Sequence, residues 1–241
     1  PETMRELLNA PGARPSERNT CLLSLRGVSR TFGGIKALDM VDLCLRAGDI
    51  HGLIGPNGAG KTTLFDIITG FTRKDAGECI FDGVALGIDP ARAVRLGIAR
   101  TFQNLRLFAS ASVVDNVVTG MHRTTRDGLM SALWRGAAHH AEEAHCRAEA
   151  LRLLDYVGLG GHAQRLAGAL SYGDRRRLEI ARALATAPRL LALDEPAAGM
   201  NASETAALAE LIRRIRHDGI SVLVIEHDMR FVMSLCDRIT V

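Results

Sequence analysis

The chain has 241 residues, of which 47% are hydrophobic, enough to bury the core of one or two lobes. Its formal net charge of +3 comes from 30 Lys and Arg residues spread among 27 Asp and Glu residues, a balance from which we expect no nucleic-acid partner. No apolar run reaches the roughly 18 residues that a membrane-spanning helix needs, because the longest runs stop at Asp194 and Glu226. We therefore expect any membrane association to pass through a partner.

The two ends of the chain and its cysteines give further expectations about domain boundaries and redox state. Residues 1–20 are polar and lack the apolar segment of a secretory signal, so we interpret them as a disordered leader, tag or linker before a domain at 21–241. A strand begins at Arg238–Val241, from which we expect that an edge strand and a C-terminal tail are missing. The five cysteines are odd in number and form no CxxC pair, which is typical of reduced thiols in the cytosol.

The predicted elements begin with strands and later alternate with helices. Short apolar or alternating runs between Cys21 and Ile54 predict strands of a mixed sheet. A helix over Lys61–Thr69 and a strand over Gly77–Gly83 follow, and then a short helix that starts at Asp89-Pro90 and ends near Gly97. Further helices are predicted over 112–118, 141–156, 174–187, 203–218 and 228–236, with strands over 190–193 and 221–225. This order predicts an α/β core with a helical subdomain inserted at about 88–170.

A phosphate-binding loop follows the predicted strand that ends at Ile54. The residues Gly55, Pro56, Asn57, Gly58, Ala59, Gly60, Lys61 and Thr62 fit the pattern G-x-x-x-x-G-K-[ST] between a strand and a helix. Glycines let backbone N–H groups turn inward and form an anion site at the positive end of the helix. We expect Lys61 to reach the β- and γ-phosphates of ATP, Thr62 to bind Mg²⁺ through its hydroxyl, and Thr63 to complete the phosphate-binding segment.

Two carboxylates end the apolar run Leu190–Leu193. A buried parallel strand delivers the residues after it to the carboxyl edge of the sheet, where Asp194 can hold Mg²⁺ through water. Glu195 is placed to polarise an attacking water as a general base. A strand that ends in acids often only meets solvent, so the phosphate loop upstream gives this motif its specificity.

The segment Leu170-Ser171-Tyr172-Gly173-Asp174 resembles the LSGGQ signature of ABC ATPases. Ser171 and Gly173 match, whereas Tyr172 and Asp174 depart from the pattern. The resemblance implies that Ser171 and the Gly173 amide bind the γ-phosphate of an ATP held by a second ABC ATPase subunit, in a homodimer or a heterodimer. A carboxylate at Asp174 would repel a triphosphate. The following residues 175–177, all Arg, either offset this charge or form a solvated basic turn.

The family resemblance extends to further positions in the expected order. It implies that Gln103 contacts Mg²⁺ and the attacking water, that His227 holds the γ-phosphate, and that Phe32 stacks on adenine. Taken alone, these residues could equally be an exposed amide, a capping histidine and a core phenylalanine. The segment Ala198-Gly199-Met200-Asn201 occupies the position of the family's D-loop, and Asn201 stands where many family members have Asp. The implied fold is a P-loop NTPase core with a mixed β-sheet, an antiparallel β subdomain and an inserted α-helical subdomain.

Five segments together are similar to ATP-binding subunits of branched-chain amino acid importers. They are residues 97–108, 170–174, 178–184, 195–199 and 225–229, and the insert at Met121–His145 also resembles that subfamily. The resemblance implies ATP hydrolysis that powers uptake of branched-chain or related hydrophobic amino acids through ATP-driven dimerisation. It also implies integral-membrane permease subunits, a periplasmic amino-acid-binding protein, and a peripheral position on the cytoplasmic face of the inner membrane.

Other interpretations of the sequence remain open. One is the ATPase of a lipid or lipopolysaccharide exporter, and another is a soluble ABC ATPase that acts on ribosomes or DNA. A third is a regulatory partner that no longer hydrolyses ATP. The segment His139–Cys146 contains histidines, glutamates and a cysteine at spacings that can bind zinc, but these side chains spread over more than one helix face, which favours a solvated surface.

Overall fold

The structure, a computed structural model, describes residues 21–121 and 137–241. Its described residues form two compact units. The core unit consists of residues 21–103 and 188–241, and the helical unit consists of residues 104–121 and 137–187.

An antiparallel sheet opens the core unit. Its strands are β1 (Cys21–Phe32), β2 (Ile35–Arg46), β4 (Ala76–Phe81) and β5 (Val84–Ala85), in the order β2-β1-β4-β5. Gly33 and Gly34 join β1 to β2 with φ angles of 53° and 86°, a left-handed backbone that suits a tight hairpin. This sheet is the antiparallel subdomain that the family resemblance implies, and the fold class predicted from the sequence is confirmed.

A parallel sheet forms the second layer of the core unit. Its strands are β3 (Ile50–Leu53), β6 (Ile98–Arg100), β7 (Leu190–Asp194), β8 (Ser221–Ile225) and β9 (Arg238–Thr240), in the order β6-β7-β8-β3-β9. Every residue of β3, β7 and β8 is buried, as expected for strands covered on both faces. The continuous apolar runs of β7 and β8 are therefore the reason why the sequence predicts these two strands correctly.

The helices of the core unit are α1 (Lys61–Ile68), α2 (Pro90–Leu96), α6 (Ala202–His217) and α7 (Met229–Leu235). Asp89 caps α2 by accepting a hydrogen bond from the Arg92 N–H at 2.9 Å, Pro90 takes the first helical position, and Gly97 ends the helix at φ 101°. The cap and the stop were both predicted from these residue types.

The helical unit contains α3 (Val113–Met121), α4 (Ala137–Tyr156) and α5 (Tyr172–Leu184), with 3-10 turns at Gly160–His162 and Ala167–Ala169. Its boundaries lie later along the chain than the insert of about 88–170 that the sequence predicts. Residues 98–100 form β6 and pair with β7 of the core unit, whereas α5 packs against α3 within the helical unit. The insert at Met121–His145 lies mostly outside the described residues.

The core unit is held together by apolar side chains from both sheets and from α1. Phe65 and Ile68 of α1 are fully buried, because an eight-residue helix with apolar residues at positions four, five, seven and eight presents one apolar face. They belong to one cluster with Leu23, Leu25, Leu45, Phe81, Leu190, Ala192, Leu223 and Ile225. The helix that follows the phosphate loop is thus anchored directly in the core.

The structure corrects the expectation about the cysteines. Cys21 and Cys44 lie on the neighbouring strands β1 and β2, with their Cα atoms 5.7 Å apart, and form a disulfide. The expectation of reduced thiols is therefore wrong for this pair, because the antiparallel pairing of β1 with β2 brings together two cysteines that are 23 residues apart in the sequence. Among the described residues, Cys79, Cys146 and Cys236 are free thiols.

Along the two described stretches, no helix has both the length and the apolar character that crossing a bilayer requires.

Candidate active site

Three buried strands end in the same row of the parallel sheet. Leu53, the last residue of β3, pairs with Ile225 of β8, which pairs with Asp194 of β7. The segments that leave this row carry the phosphate loop, Glu195 and His227. Since the carboxyl ends of parallel strands form the usual ligand edge of an α/β sheet, the phosphate loop, Glu195 and His227 share one edge.

The phosphate loop depends on two glycines in the left-handed region. Gly58 and Gly60 both have φ of 84°, and Gly60 is the residue from which α1 starts, with its carbonyl accepting from the Leu64 N–H at 2.9 Å. Gly60 also packs on β2, because a Cβ there would lie 2.2 Å from the Ala37 carbonyl oxygen. The first N–H groups of a helix have no partner within the helix, so the loop presents donors suited to an anion.

Lys61 and Thr62 are the first two residues of α1. The Lys61 ammonium donates to the carbonyl oxygens of Gly55 at 2.6 Å and Pro56 at 2.9 Å, so it lies across the loop that the sequence assigns to the phosphates. Thr62 is exposed at the start of the helix. The first turn of the helix thus carries both the lysine and the hydroxyl, and the lysine reaches back to the start of the loop.

Asp194 is buried at the end of β7. Its Oδ2 receives a charged hydrogen bond from Arg100 at 3.2 Å, and its N–H donates to the Thr101 hydroxyl at 3.4 Å. Burial raises the pKa of the Asp194 carboxyl above its ordinary value, while the guanidinium of Arg100 opposes that rise. The cation therefore favours the charged form that a metal-holding carboxylate needs.

Glu195 follows in a strained backbone conformation. Its φ is 46°, in the left-handed region that residues with a Cβ rarely adopt, and its N–H donates to the Ile225 carbonyl at 3.0 Å. Gln103 donates from Nε2 to one carboxylate oxygen at 3.0 Å, and Nδ1 of His227 lies 3.8 Å from the other. Backbone strain of this kind is found mostly where function requires a fixed side-chain direction. The structure thus brings together three residues that the sequence selects on separate motifs.

Glu226 is a site residue that sequence reasoning missed. Its side chain is 1% exposed, and its two oxygens accept the N–H groups of Ala197 at 2.9 Å and of His227 at 3.2 Å. Burial raises the pKa of this carboxyl, and the backbone N–H groups of Ala197 and His227 oppose the rise. One buried carboxylate therefore links the loop after Glu195 to the loop of His227. The only signal in the sequence was an acidic residue beside His227.

Phe32 lies at the end of β1 and is 46% exposed, so it is not a core residue. The guanidinium of Arg30 lies 4.3 Å from the centre of the Phe32 ring, and Arg30 is held in turn by Asp75 at 2.5 Å. One face of the ring therefore has a cationic partner, while the side chain keeps enough exposure to meet a flat ligand.

The signature segment lies in the helical unit and forms the start of α5. Ser171 is the N-cap residue, and its hydroxyl oxygen accepts the Asp174 N–H at 3.1 Å. The Asp174 carboxylate pairs with Arg177, while Arg176 is buried and pairs with Glu179 at 3.3 Å. The solvated basic turn considered for residues 175–177 is therefore wrong for Arg176 and Arg177, because both pair with carboxylates of their own helix.

The D-loop residue Asn201 caps α6. Its side chain accepts the Glu204 N–H at 2.9 Å, and the Glu204 carboxylate accepts the Asn201 N–H at 3.0 Å. This reciprocal pair is a capping box, a role that Asp could fill equally well. The departure from the family pattern at Asn201 therefore leaves the local structure of the loop intact.

Within the described stretches, no group of three or more His, Cys, Asp and Glu side chains is placed to hold a metal ion. The side chains of His139 and His140, which belong to the zinc motif considered above, lie outside the described residues.

A strand, a phosphate loop and a helix define the class of P-loop ATPases when the same sheet contains a strand that ends in Asp194 and is followed by Glu195. The signature segment narrows this class to ATP-binding cassettes. The family model described as "ABC transporter" matches residues 38–198. The chain therefore belongs to the ABC transporter family, as the sequence motifs predict.

Similar proteins agree with this assignment. The chain is 44% identical to the high-affinity branched-chain amino acid transport ATP-binding protein LivG of Salmonella typhimurium, over 91% of this chain and 87% of LivG. It is 41% identical to the corresponding protein BraF of Pseudomonas aeruginosa, again over 91% of this chain and 87% of the relative. The predicted resemblance to ATP-binding subunits of branched-chain amino acid importers is confirmed.

Solved structures support the same fold. A nucleotide-free ATP-binding cassette from an ABC transporter matches with a TM-score of 0.78 and 32% identity, over 90% of this chain and 86% of that chain. A dimeric cassette in a post-hydrolysis state, bound to ADP and Pi, matches with a TM-score of 0.72 and 26% identity, over 87% of this chain and 89% of that chain.

Proposed function

We propose that the chain is the ATP-hydrolysing subunit of an importer for branched-chain or related hydrophobic amino acids. The observation that carries the ATPase part is the common row in which β3, β8 and β7 end, because it sets the phosphate loop, His227 and Glu195 along one edge. The cargo part rests on the likeness to LivG and BraF, whose names describe branched-chain amino acid transport.

The phosphate loop is proposed to hold the triphosphate. The contacts of the Lys61 ammonium with Gly55 and Pro56 use only carbonyl oxygens, so phosphate oxygens can replace them when ATP binds. Phe32 is proposed to stack on adenine with the ring face opposite Arg30. The nucleotide-binding residues are Phe32, Gly55, Pro56, Asn57, Gly58, Ala59, Gly60, Lys61, Thr62 and Thr63.

The donor set of the site fits Mg²⁺, which prefers oxygen ligands. Thr62 offers a hydroxyl, Gln103 an amide oxygen and Asp194 a carboxylate, the last through water. Because Arg100 binds Oδ2 of Asp194, Oδ1 is the oxygen that we assign to the ion. When bound, Mg²⁺ would neutralise charge on the phosphate oxygens.

Glu195 is proposed to act as the general base. Its carboxylate would take a proton from the water that attacks the γ-phosphate, while the Gln103 amide fixes the direction of the carboxylate at 3.0 Å. His227, on the other side of the same carboxylate, is proposed to hold a γ-phosphate oxygen. The strained backbone of Glu195 limits the positions that its side chain can adopt.

A second cassette is proposed to complete the site. In this arrangement Ser171 and the Gly173 amide bind the γ-phosphate of the ATP held by that subunit, which is either a second copy of this chain or a related one. The pairing of Asp174 with Arg177 offsets the charge that would otherwise repel phosphate. The likeness to a dimeric cassette bound to ADP and Pi supports this proposal.

The remaining partners follow from the importer proposal. They are integral-membrane permease subunits and, indirectly, a periplasmic amino-acid-binding protein, with no nucleic acid. The subunit would then lie on the cytoplasmic face of the inner membrane and attach to it through the permeases.

Glu195→Gln tests the ATPase proposal. Because the amide cannot take a proton from water, we expect ATP turnover to fall by about 100-fold or more while the affinity for a fluorescent ATP analogue is retained. Glu210→Gln, which removes an exposed carboxylate from α6, is the matched control and should keep wild-type turnover. Wild-type turnover in Glu195→Gln would remove Glu195 from this role, and a wild-type protein without turnover would indicate a regulatory partner instead.

The cargo proposal needs a separate experiment. We expect that pull-down of the intact complex from membranes recovers permease subunits, and that the reconstituted complex transports leucine, isoleucine and valine when ATP is supplied. Lys61→Ala, which removes the phosphate-binding ammonium, should abolish transport in the same complex. Recovery of lipid-transport components in place of an amino-acid-binding protein would favour the exporter alternative.

A further inference from the structure

Arg100, the last residue of β6, has a buried guanidinium that contacts carboxylates on two other elements. Its side chain is 8% exposed. One terminal nitrogen donates to Asp66 of α1 at 2.5 Å, and the other donates to Asp194 at the end of β7 at 3.2 Å. The first nitrogen also reaches the Thr69 hydroxyl at 3.2 Å. A single side chain thus joins elements that are 34 and 94 residues away in the sequence.

Aromatic rings surround this guanidinium. The ring centres of Phe102, Phe65 and Phe71 lie 5.1, 5.5 and 5.9 Å from its central carbon. Such rings attract a cation through their faces and exclude water, which strengthens the two ion pairs. Arg100 Nε is buried without a hydrogen-bond partner, so the two terminal nitrogens make all the polar contacts that fix the side chain in the described part of the chain.

The elements that meet at Arg100 are those that carry the proposed chemistry. Asp66 lies four residues after Thr62, on the helix that begins at the phosphate loop. Asp194 immediately precedes Glu195. The backbone beyond Arg100 is fixed to β7 as well, since the Thr101 N–H donates to the Ala192 carbonyl at 2.9 Å. Gln103 follows two residues later and contacts Glu195.

We propose that Arg100 is a positioning residue for ATP hydrolysis. It fixes Oδ2 of Asp194 and holds α1 at a set distance from the end of β7, so that Lys61 and Thr62 stay in register with Asp194 and Glu195. Arg100 itself does not touch the nucleotide. This inference rests on the proposed ATPase function.

Arg100→Gln removes both charged contacts and tests the proposal. A displacement of catalytic groups of about 1 Å can cost about 100-fold, so we expect kcat to fall by about 10- to 100-fold. The phosphate loop remains, so the affinity for a fluorescent ATP analogue measured without Mg²⁺ should stay within about threefold of wild type. Arg100→Lys can keep one contact at a time and should recover part of the lost turnover.

Two further variants separate positioning from general structural support. Asp66→Asn weakens only the contact with α1 and should lower kcat less than Arg100→Gln, and the double variant should lose less than the product of the two single effects. Arg189→Gln breaks another ion pair of the core unit, the one between Arg189 and Asp82. The Arg189 guanidinium also lies near an aromatic ring, 5.8 Å from the centre of Phe81. As the matched control, Arg189→Gln should keep wild-type kcat.

The possible outcomes either support or overturn the inference. Wild-type kcat in Arg100→Gln would overturn it, as would a loss of kcat and of nucleotide affinity in the same proportion, because that result indicates a structural role. If Arg100→Gln does not fold, Arg100→Lys and Asp66→Asn test the positioning role instead. For these variants too, kcat is compared with the affinity for the fluorescent ATP analogue. A wild-type protein that binds but does not hydrolyse ATP would refute the proposed function rather than the role of Arg100.

Discussion

At the scale of single residues, Gly58 and Gly60 have the same backbone angle but different surroundings. Both have φ of 84°, so any side chain there is strained. A Cβ at Gly58 would meet nothing within 4 Å, whereas a Cβ at Gly60 would lie 2.2 Å from the Ala37 oxygen and 2.9 Å from a Leu38 methyl carbon. The pair therefore separates the cost of strain from the cost of a clash within one loop.

Alanine at each of these positions should lower the free energy of unfolding by different amounts. We expect Gly58→Ala to cost about 1–2 kcal/mol, the penalty of a left-handed residue. Gly60→Ala should cost about 1–3 kcal/mol beyond that, because α1 must move away from β2. Urea unfolding of both variants measures the difference. Equal losses would mean that Gly60 does not pack on β2 as the structure has it.

Single residues also show which parts of the site can be predicted from the sequence and which cannot. Lys61 and Asp194 could be selected because each belongs to a motif with fixed neighbours, whereas Gln103 and His227 were selected because their segments resemble family elements in the expected order. Arg100 could not, since its partners lie on distant segments and its own strand, β6, has only three residues. The Cys21–Cys44 disulfide escaped prediction for a similar reason, because the two cysteines meet only through the pairing of β1 with β2.

At the scale of elements, helix ends followed from local residue chemistry. Asp89-Pro90 and Gly97 predicted the two ends of α2, and the cap bonds are present. The pairing of Asp174 with Arg177 and of Arg176 with Glu179 did not follow, because contacts at i, i+3 depend on which face of α5 is buried. An apolar run predicts that an element exists, whereas tertiary packing decides which of its charges are paired.

The capping box of α6 gives a prediction at this scale. Asn201→Ala removes the side chain that accepts the Glu204 N–H, so the free energy of unfolding should fall by about 1 kcal/mol. Asn201→Asp keeps an acceptor and should retain stability. Ser203→Ala, at an exposed position in the same helical turn, is the matched control and should change little. Thermal or urea unfolding checks all three, and a stable Asn201→Ala would contradict the capping role.

At the scale of the whole molecule, the buried carboxylates make stability depend on pH. The pKa of Glu226 is raised by burial above its ordinary value of 4.5. The folded protein therefore binds this proton more tightly than the unfolded chain does. The stabilisation from Glu226 is fully present below the unfolded pKa and is lost as pH rises through the folded pKa. Glu226 also holds the N–H groups of Ala197 and His227, so the same group serves the site and costs stability near neutral pH.

Glu226→Gln isolates this effect. The amide oxygen can still accept the Ala197 N–H, but the hydrogen bond from the His227 N–H is lost, and this loss does not depend on pH. The cost of burying a charged carboxylate disappears in the variant. We expect the free energy of unfolding of the variant minus that of wild type to rise from about pH 4 to about pH 8. Glu78→Gln, an exposed carboxylate on β4, controls for the loss of one charge from the molecule. If the difference in the free energy of unfolding stays constant with pH, burial does not raise the pKa of Glu226. Glu226 would then be a charged carboxylate throughout this pH range where it accepts the N–H groups of Ala197 and His227.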